Sequence, residues 1–225
     1  MVDLEGSTIS ETEKVLLMQP EVGGIILFSR NFESVEQITA LVSEIHNLRS
    51  HKLLISVAHE GGRVQRFHEG FSRIPAAAIY ARVAKNDLDK GRQLAENAGW
   101  LMAVELRACG IDFSFVPVLD LAHGLSGVIG DRAFHSKPAT VATLAYAFMH
   151  GMNKAGMQAV GKHFPGHGCV IEDSHVTMPV CTMDLDQLID SYITLFQYMS
   201  ENKLAAIMPA VVMNEKGNEK TAGLS

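Results

Sequence analysis

Residues Gly23–Glu60 read GGIILFSRNFESVEQITALVSEIHNLRSHKLLISVAHE, in which an amphipathic run separates two apolar runs. The first apolar run, Gly23–Arg30, is short and continuous, as expected of a strand that is covered on both faces. The segment Ser34–Leu48 has apolar residues at helical spacing, and Ser34 followed by a glutamine three positions later predicts a capped helix start. Lys52–Glu60 predicts a second buried strand. The order strand, helix, strand predicts a β-α-β unit with parallel strands.

The same alternation continues along the rest of the chain. The predicted later helices are Lys90–Gly110, Lys137–Gly156 and Asp184–Lys203, and the predicted strands after them are Asp112–Leu121, Gln158–Phe164 and Leu204–Met213. Repeated alternation with buried strands predicts a parallel α/β sheet, in either a (β/α) barrel or a doubly wound open sheet. A glycine-rich dinucleotide fingerprint does not follow the first strand and no P-loop pattern appears, which disfavours nucleotide binding.

Composition and charge exclude several classes of function. The 225 residues are 47% hydrophobic, which is enough for a sizeable core, and the formal net charge is -6 with lysine and arginine dispersed. A nucleic-acid partner is therefore not expected, since it needs clustered positive charge.

The N-terminal segment is acidic and polar, unlike a signal peptide, and no apolar run is long enough to span a bilayer. Three cysteines without motif spacing indicate a reducing compartment, so we expect a soluble cytoplasmic protein.

Polar residues collect where the predicted strands end. They are Arg30 and Asn31 after the first strand, Glu60 after the second, Asp120 after the third, and Lys162 and His163 after the fourth. In both candidate architectures, ligands bind at the carboxyl ends of the strands. This repeated placement predicts a functional site at one rim of the sheet.

Two arginine-containing loops are candidates for ligand binding. In Glu60–Phe67 (EGGRVQRF), two glycines allow a tight turn, and Arg63 and Arg66 have planar donor groups that suit hydroxyls or carboxylates. A solvated basic loop is the alternative. In Gly130–His135 (GDRAFH), Arg132 is either a substrate clamp or the partner of a local carboxylate.

The segment Gly161–His175 (GKHFPGHGCVIEDSH) is the richest in histidine. His163 and His167 are four residues apart but have a proline between them, so they cannot share a helix face as in a helical zinc motif. Asp173 stands two residues before His175, a spacing at which a carboxylate can orient an imidazole for proton transfer. The spacing leaves three interpretations open: a proton-transfer dyad, a metal site and a polar turn.

Six motifs occur in one order along the chain: GGIILFSRN, EGGRVQRF, PVLDL, GKHFPGHG, DSH and IMP. With these motifs the chain resembles the family 3 glycoside hydrolases over essentially its whole length. The resemblance implies a single TIM-type (β/α) barrel domain, partial, over residues 1–225. It also implies cytoplasmic removal of terminal N-acetylglucosamine from peptidoglycan fragments, with retention of configuration and without a metal or cofactor.

The resemblance also implies roles for individual residues. His175 corresponds to the catalytic acid/base and Asp173 to the carboxylate that holds it, which favours proton transfer over metal binding. The positions that correspond to sugar-binding residues of the family are Arg66, Arg132, Lys162 and His163.

The chain departs from the family pattern near the double glycine and after the fifth strand. The family has Asp-Gln-Glu before the glycines, where this chain has Ala58 and His59, and a histidine where it has Val211. Alanine cannot accept hydrogen bonds from sugar hydroxyls, so we expect weaker sugar binding. The family's aspartate nucleophile, in an SDD-like segment beyond IMPA, has no counterpart in the 225 residues.

These departures leave three hypotheses for the chain. It is an N-terminal portion of a β-N-acetylhexosaminidase, a short non-catalytic homologue that binds amino sugars or a protein partner, or a hydrolase with a relocated nucleophile. For the last hypothesis, Asp120 and Glu60 are the candidate nucleophiles.

Five predicted strands are fewer than the eight or so that close a barrel. We therefore expect open strand edges, self-association and no meaningful hydrolysis by this chain.

Overall fold

The computed structural model of the protein describes residues 1–124, 126–168, 170, 179–214 and 218–221. Its helices are α1 (Glu11–Leu17), α2 (Val35–Asn47), α3 (Ala78–Ala84), α4 (Leu88–Ala108), α5 (Pro138–Lys154), α6 (Leu185–Leu188) and α7 (Thr194–Glu201). Its strands are β1 (Gly24–Leu27), β2 (Leu54–Val57), β3 (Phe113–Ser114), β4 (Val160–Phe164), β5 (Val180–Cys181), β6 (Ala206–Pro209), β7 (Met213–Asn214) and β8 (Asn218–Thr221). A π-helical turn joins α6 to α7.

Strands β1, β2, β3, β4 and β6 form a parallel wall in chain order. Strand β2 pairs with β1 and with β3, and β4 pairs with β6, all in parallel. A parallel bridge between Val118 and Lys162 joins the two parts of the wall. The predicted parallel α/β architecture is therefore confirmed. Strands β5, β7 and β8 form a separate small sheet.

The third strand of the wall is shorter than the predicted Asp112–Leu121, since only β3 is in regular ladder pairing. Pro117 has no N–H to donate, which interrupts the ladder. The chain then changes partners. Phe115 N still donates to the last carbonyl of β2 at 3.3 Å, whereas Leu119 N donates to the carbonyl of Lys162 at 2.6 Å. This exchange carries the following residue, Asp120, to the end of β4.

Two short helices were not predicted. Helix α1 begins with a capping box, in which Ser10 Oγ accepts from Glu13 N at 3.3 Å and the Glu13 carboxylate accepts from Ser10 N at 2.8 Å. Helix α3 lies in the predicted long loop after β2, and its N-cap residue, Ala77, provides no side-chain cap. Without a capping signal, seven residues give too weak a pattern for a sequence-based assignment.

Helices α4 and α5 pack closely through two glycines. A Cβ on Gly99 would lie 2.1 Å from the carbonyl oxygen of Phe148, and a Cβ on Gly151 would lie 2.0 Å from that of Glu96. The two backbones approach this closely only because both positions lack a side chain. The contact holds together the two helices that precede β3 and β4, the part of the wall from which the site is built.

Several apolar side chains remain exposed at the amino ends of the wall strands. Leu54 is 54% exposed and Ile207 is 41% exposed. With Phe113, Phe115 and Val160 they line an apolar groove of about 530 Å³. Within the described ranges, no helix has the length and apolar character required to cross a bilayer.

Candidate functional site

Glu60 joins two cationic side chains from different parts of the chain. It follows β2, and its two carboxylate oxygens each lie 2.8 Å from a nitrogen of Arg132, which ends the turn Gly130–Arg132. Lys162, in the middle of β4, forms an ion pair with the same carboxylate. All three side chains are largely buried, with exposures of 7% for Glu60, 11% for Arg132 and 4% for Lys162. The Arg132 pair has the bidentate geometry of a strong charge-assisted contact.

Burial and neighbouring charges shift the pKa values of Glu60 and Lys162. Burial alone would raise the pKa of Glu60, but Lys162 and Arg132 outweigh it and hold the pKa at about 2. Burial lowers the pKa of Lys162, and the Glu60 carboxylate acts in the opposite direction. Arg132 and Lys162 share the Glu60 carboxylate, and together they have more N–H donors than this one carboxylate accepts. The cluster of these three side chains therefore favours hydroxyl and carbonyl oxygens of a ligand.

Asp120 orients His163. The Asp120 side chain is fully buried, and its Oδ2 lies 2.6 Å from Nδ1 of His163. Its Oδ1 accepts from the backbone N–H of His167 at 2.5 Å. Burial raises the pKa of Asp120, but these contacts with His163 and His167 lower it overall. Because the carboxylate is ionised, Nδ1 of His163 carries the proton, and the half-buried ring keeps Nε2 for a ligand.

The structure therefore brings three of the four predicted sugar-binding residues together: Arg132, Lys162 and His163. Arg132 and Lys162 share Glu60, and both also interact electrostatically with Asp120, the carboxylate that holds His163. The sequence predicts Asp120 as a strand-end residue and a candidate nucleophile, and it does not predict that Asp120 orients His163. No local spacing pairs it with His163.

Arg66 lies apart from these contacts. Its Cζ is 5.9 Å from the centroid of the Phe28 ring, and its carbonyl accepts from Ser29 Oγ at 3.1 Å. Its buried Nε has no hydrogen-bond partner within the part of the chain that the structure describes. Within the described residues, the Arg66 Nε–H is therefore an unused donor.

His59 occupies a closed apolar position next to Glu60. It is 1% exposed, and its ring lies 5.8 Å from that of Phe67 and 5.7 Å from that of Phe71. Burial, with the nearby His68 and Arg66 charges, lowers the pKa of His59 to about 3. The imidazole is therefore a neutral packing group that supports the backbone before Glu60. Ser114 Oγ accepts from His59 N at 3.1 Å and fixes that backbone from the neighbouring strand.

The predicted dyad, Asp173 and His175, lies outside the described residues, so its geometry stays a prediction. Across the described ranges, histidine, cysteine and carboxylate side chains form no group of three or more that would hold a metal ion.

The geometry argues against a relocated nucleophile at Glu60 or Asp120. Both oxygens of Glu60 are bound by cations, which stabilises the carboxylate and weakens it as a nucleophile. Asp120 has no exposed side-chain surface with which to reach a ligand. Both carboxylates instead position the basic groups around them.

Comparison with known proteins defines the family. Residues 1–225 match the family described as glycosyl hydrolase family 3 N terminal domain. The chain belongs to this family. The beta-hexosaminidase of Thioalkalivibrio sulfidiphilus is 57% identical over 227 residues, which cover 100% of this chain and 65% of the relative. The beta-hexosaminidase of Methylobacillus flagellatus is 50% identical and is covered to 64%. The chain thus spans slightly less than two thirds of these curated relatives.

Solved structures of the family share the fold. The chain superimposes with a TM-score of 0.97 and 46% identity on NagZ from Neisseria gonorrhoeae in complex with N-trifluoroacetyl-D-glucosamine. That match covers 100% of this chain and 67% of the NagZ chain. A family 3 beta-N-acetylglucosaminidase from Paenibacillus gives a TM-score of 0.91 at 32% identity. The parallel wall is therefore part of a TIM-type barrel, as predicted.

Proposed function

We propose that this chain forms the sugar-binding part of a β-N-acetylhexosaminidase that acts on terminal N-acetylglucosamine of peptidoglycan fragments in the cytoplasm. The observation that carries the proposal is the placement of Arg132 and Lys162 on Glu60, beside His163 on Asp120. The beta-hexosaminidase relatives support the reaction class. The N-trifluoroacetyl-D-glucosamine bound to the gonococcal NagZ supports the sugar.

Ion pairs and hydrogen bonds already fix the side chains that we propose to bind the sugar. Arg132 and Lys162 are fixed by Glu60, and His163 by Asp120, so a ligand does not have to immobilise them. The N–H groups of Arg132 and Lys162 suit sugar hydroxyl and N-acetyl carbonyl oxygens. We place Arg66 at the edge of the same site, with Asp173 and His175 supplying proton transfer and no metal or cofactor.

We propose that the 225-residue chain binds the sugar but does not hydrolyse it. A retaining mechanism needs a carboxylate nucleophile in addition to the acid/base. Glu60 and Asp120 are both engaged in holding basic groups. Because the relatives are longer than this chain, we propose that residues 1–225 form one partial barrel domain that contains the sugar-binding residues.

Fluorine NMR tests the binding proposal directly. The chain is titrated with N-trifluoroacetyl-D-glucosamine, and the fluorine signal is followed as N-acetylglucosamine or glucose is added. We expect a shifted or broadened signal that N-acetylglucosamine restores and glucose, which lacks the acetamido group, restores poorly. Lys162→Met should weaken the effect, and Arg92→Ala, whose side chain pairs with Asp89 on α4, should leave it unchanged. A signal unaffected by the protein refutes the proposal.

We propose in addition that the chain self-associates through its apolar groove. The supporting observation is the exposure of Leu54 and Ile207 at the amino ends of the strands, away from the charged cluster. Exposed apolar patches and open strand edges favour association with another chain.

A further inference from the structure

The turn after β2 presents Arg63 on the same short segment as Glu60. Val64 N donates to the carbonyl of Gly61 at 3.1 Å, and Gly61 N donates back to that of Val64 at 3.2 Å. Gly61 has φ +107, and a Cβ there would lie 2.6 Å from the carbonyl oxygen of Pro75. Glycine is therefore required at this turn, from which the side chains of Glu60 and Arg63 both reach the loop that precedes α5.

Arg63 holds that loop by its backbone. Its Nη2 donates to the carbonyl oxygens of Gly127 at 3.1 Å, Val128 at 2.5 Å and Ile129 at 3.3 Å. Its Nε lies 3.2 Å from Oδ1 of Asp131. A guanidinium suits this arrangement because its donors form a fixed planar fork, which a lysine ammonium lacks.

The segment that Arg63 holds leads directly into Arg132. Arg132 Nη1 donates to the carbonyl of Val128 at 3.1 Å, so this oxygen accepts from both arginines. The backbone N–H of Arg132 donates to the carbonyl of Ile129 at 2.9 Å, the third acceptor of Arg63. The turn after β2 thus holds Arg132 in two ways: Glu60 binds its guanidinium, and Arg63 binds the backbone that carries it.

We infer that Arg63 is a positioning residue for ligand binding, which acts by holding residues 127–131 so that Arg132 faces the sugar. This inference rests on the proposed function, because it assigns Arg132 to the sugar. Arg63 itself does not have to touch the ligand. Its side chain is 48% exposed, so its removal opens no buried space in the core. The effect of Arg63 should therefore appear mainly in ligand affinity and in local loop order, with only a small change in overall stability.

The test combines hydrogen exchange, fluorine NMR binding and thermal melting on the 225-residue chain. Arg63→Ala should speed amide exchange in residues 128–132 and weaken binding of N-trifluoroacetyl-D-glucosamine by about three- to tenfold, the range for losing one or two hydrogen bonds. Arg63→Lys should recover part of the affinity, and Asp131→Asn, which removes only the ion pair, should have a smaller effect. The melting temperature should fall by no more than about 2–4 °C, the shift for about 1 kcal/mol in a chain of this size, and the control Arg92→Ala should match the wild type.

The outcomes separate this inference from the proposed function. If the wild-type chain binds the sugar, but Arg63→Ala binds equally well with unchanged loop exchange, the positioning role is wrong and the proposed function stands. If exchange rises in Arg63→Ala but the wild-type chain does not bind the sugar, the proposed function fails, and with it the assignment of Arg132. A melting temperature lowered well beyond this range, with affinity lost in proportion, would make Arg63 a structural residue and overturn the inference.

Discussion

Glu60 and Arg132 form a bidentate ion pair across 72 residues of sequence, with both nitrogen–oxygen distances at 2.8 Å. Lys162 completes the arrangement from a third segment of the chain. The three side chains therefore tie together three consecutive parts of the barrel wall, because Glu60 follows β2, Arg132 lies in the connection after β3, and Lys162 lies in β4. Because all three side chains are buried, the arrangement matters for both folding and ligand binding.

We predict that Glu60→Gln strongly destabilises the chain. The substitution keeps the size of the side chain but removes the carboxylate charge that Arg132 and Lys162 contact directly, and breaking such a buried ion pair costs about 3–5 kcal/mol. Urea denaturation measures the loss. Glu69→Gln, at an exposed position nearby, is the matched control and should change the free energy of unfolding by less than about 0.5 kcal/mol. Equal stability of Glu60→Gln and the control would show that the buried pair is not needed for folding.

We predict that His59 makes the fold sensitive to mild acid. The folded-state pKa is about 3, well below the ordinary value of 6.5, so between these values the unfolded chain binds a proton that the folded chain does not. Stability is therefore lost as the pH falls below about 6.5, at about 1.4 kcal/mol per pH unit, or about 2 kcal/mol by pH 5. Glu60, whose pKa is lowered to about 2 from 4.5, adds its own loss mainly below about pH 4.5.

The variant His59→Gln separates the two contributions. We expect its stability to decline less than that of the wild type between pH 6.5 and pH 5, with a similar decline below pH 4.5. Denaturation curves at half-unit pH steps provide the measurement. His51→Gln removes an exposed histidine and should reproduce the wild-type profile. A wild-type profile that is flat between pH 6.5 and pH 5 contradicts the prediction.

We predict no meaningful hydrolysis of an aryl β-N-acetylglucosaminide by the 225-residue chain. General acid catalysis, the role proposed for His175, is worth about 10²- to 10⁴-fold, whereas enzymatic accelerations begin near 10⁶-fold. Glu60 and Asp120 are committed to ion pairs and do not supply a nucleophile. A chromogenic assay measures turnover, with His175→Ala to exclude a contaminating enzyme. Robust turnover that His175→Ala abolishes would show that another carboxylate acts as the nucleophile.

We predict that the chain forms oligomers at micromolar concentration through its apolar groove. Ile207→Lys adds a charge to an exposed position of β6 and should shift the particle mass towards that of one chain. Val15→Lys makes the same chemical change on α1, where the side chain is 66% exposed and lies outside the groove. Multi-angle light scattering measures the mass. A wild-type chain that is monomeric at all concentrations, or equal shifts in both variants, argues against the groove as the interface.

The sequence allowed the wall of the barrel to be predicted because its signals are local. The apolar run that became β1, and the helix beginning after Ser34, depend only on residue spacing and on a cap within one turn. Where the signal was not local, the prediction failed. The third strand ends early because Pro117 breaks its ladder and the chain changes partners, and α3 has no capping residue to mark its start.

The candidate site shows the same division. The sequence by itself determined that Glu60, Asp120, Lys162 and His163 lie at or near the ends of buried strands, and the order of the motifs indicated the family. Only the tertiary structure decided that Glu60 binds Arg132 and Lys162, that Asp120 binds His163, and that Arg63 holds the loop before Arg132. The physical reason is that spacing along a chain encodes the period and ends of each element. Which buried charges become partners depends on which strand ends lie close together in space. The pairing matters because burying a charge without a partner costs a large free energy.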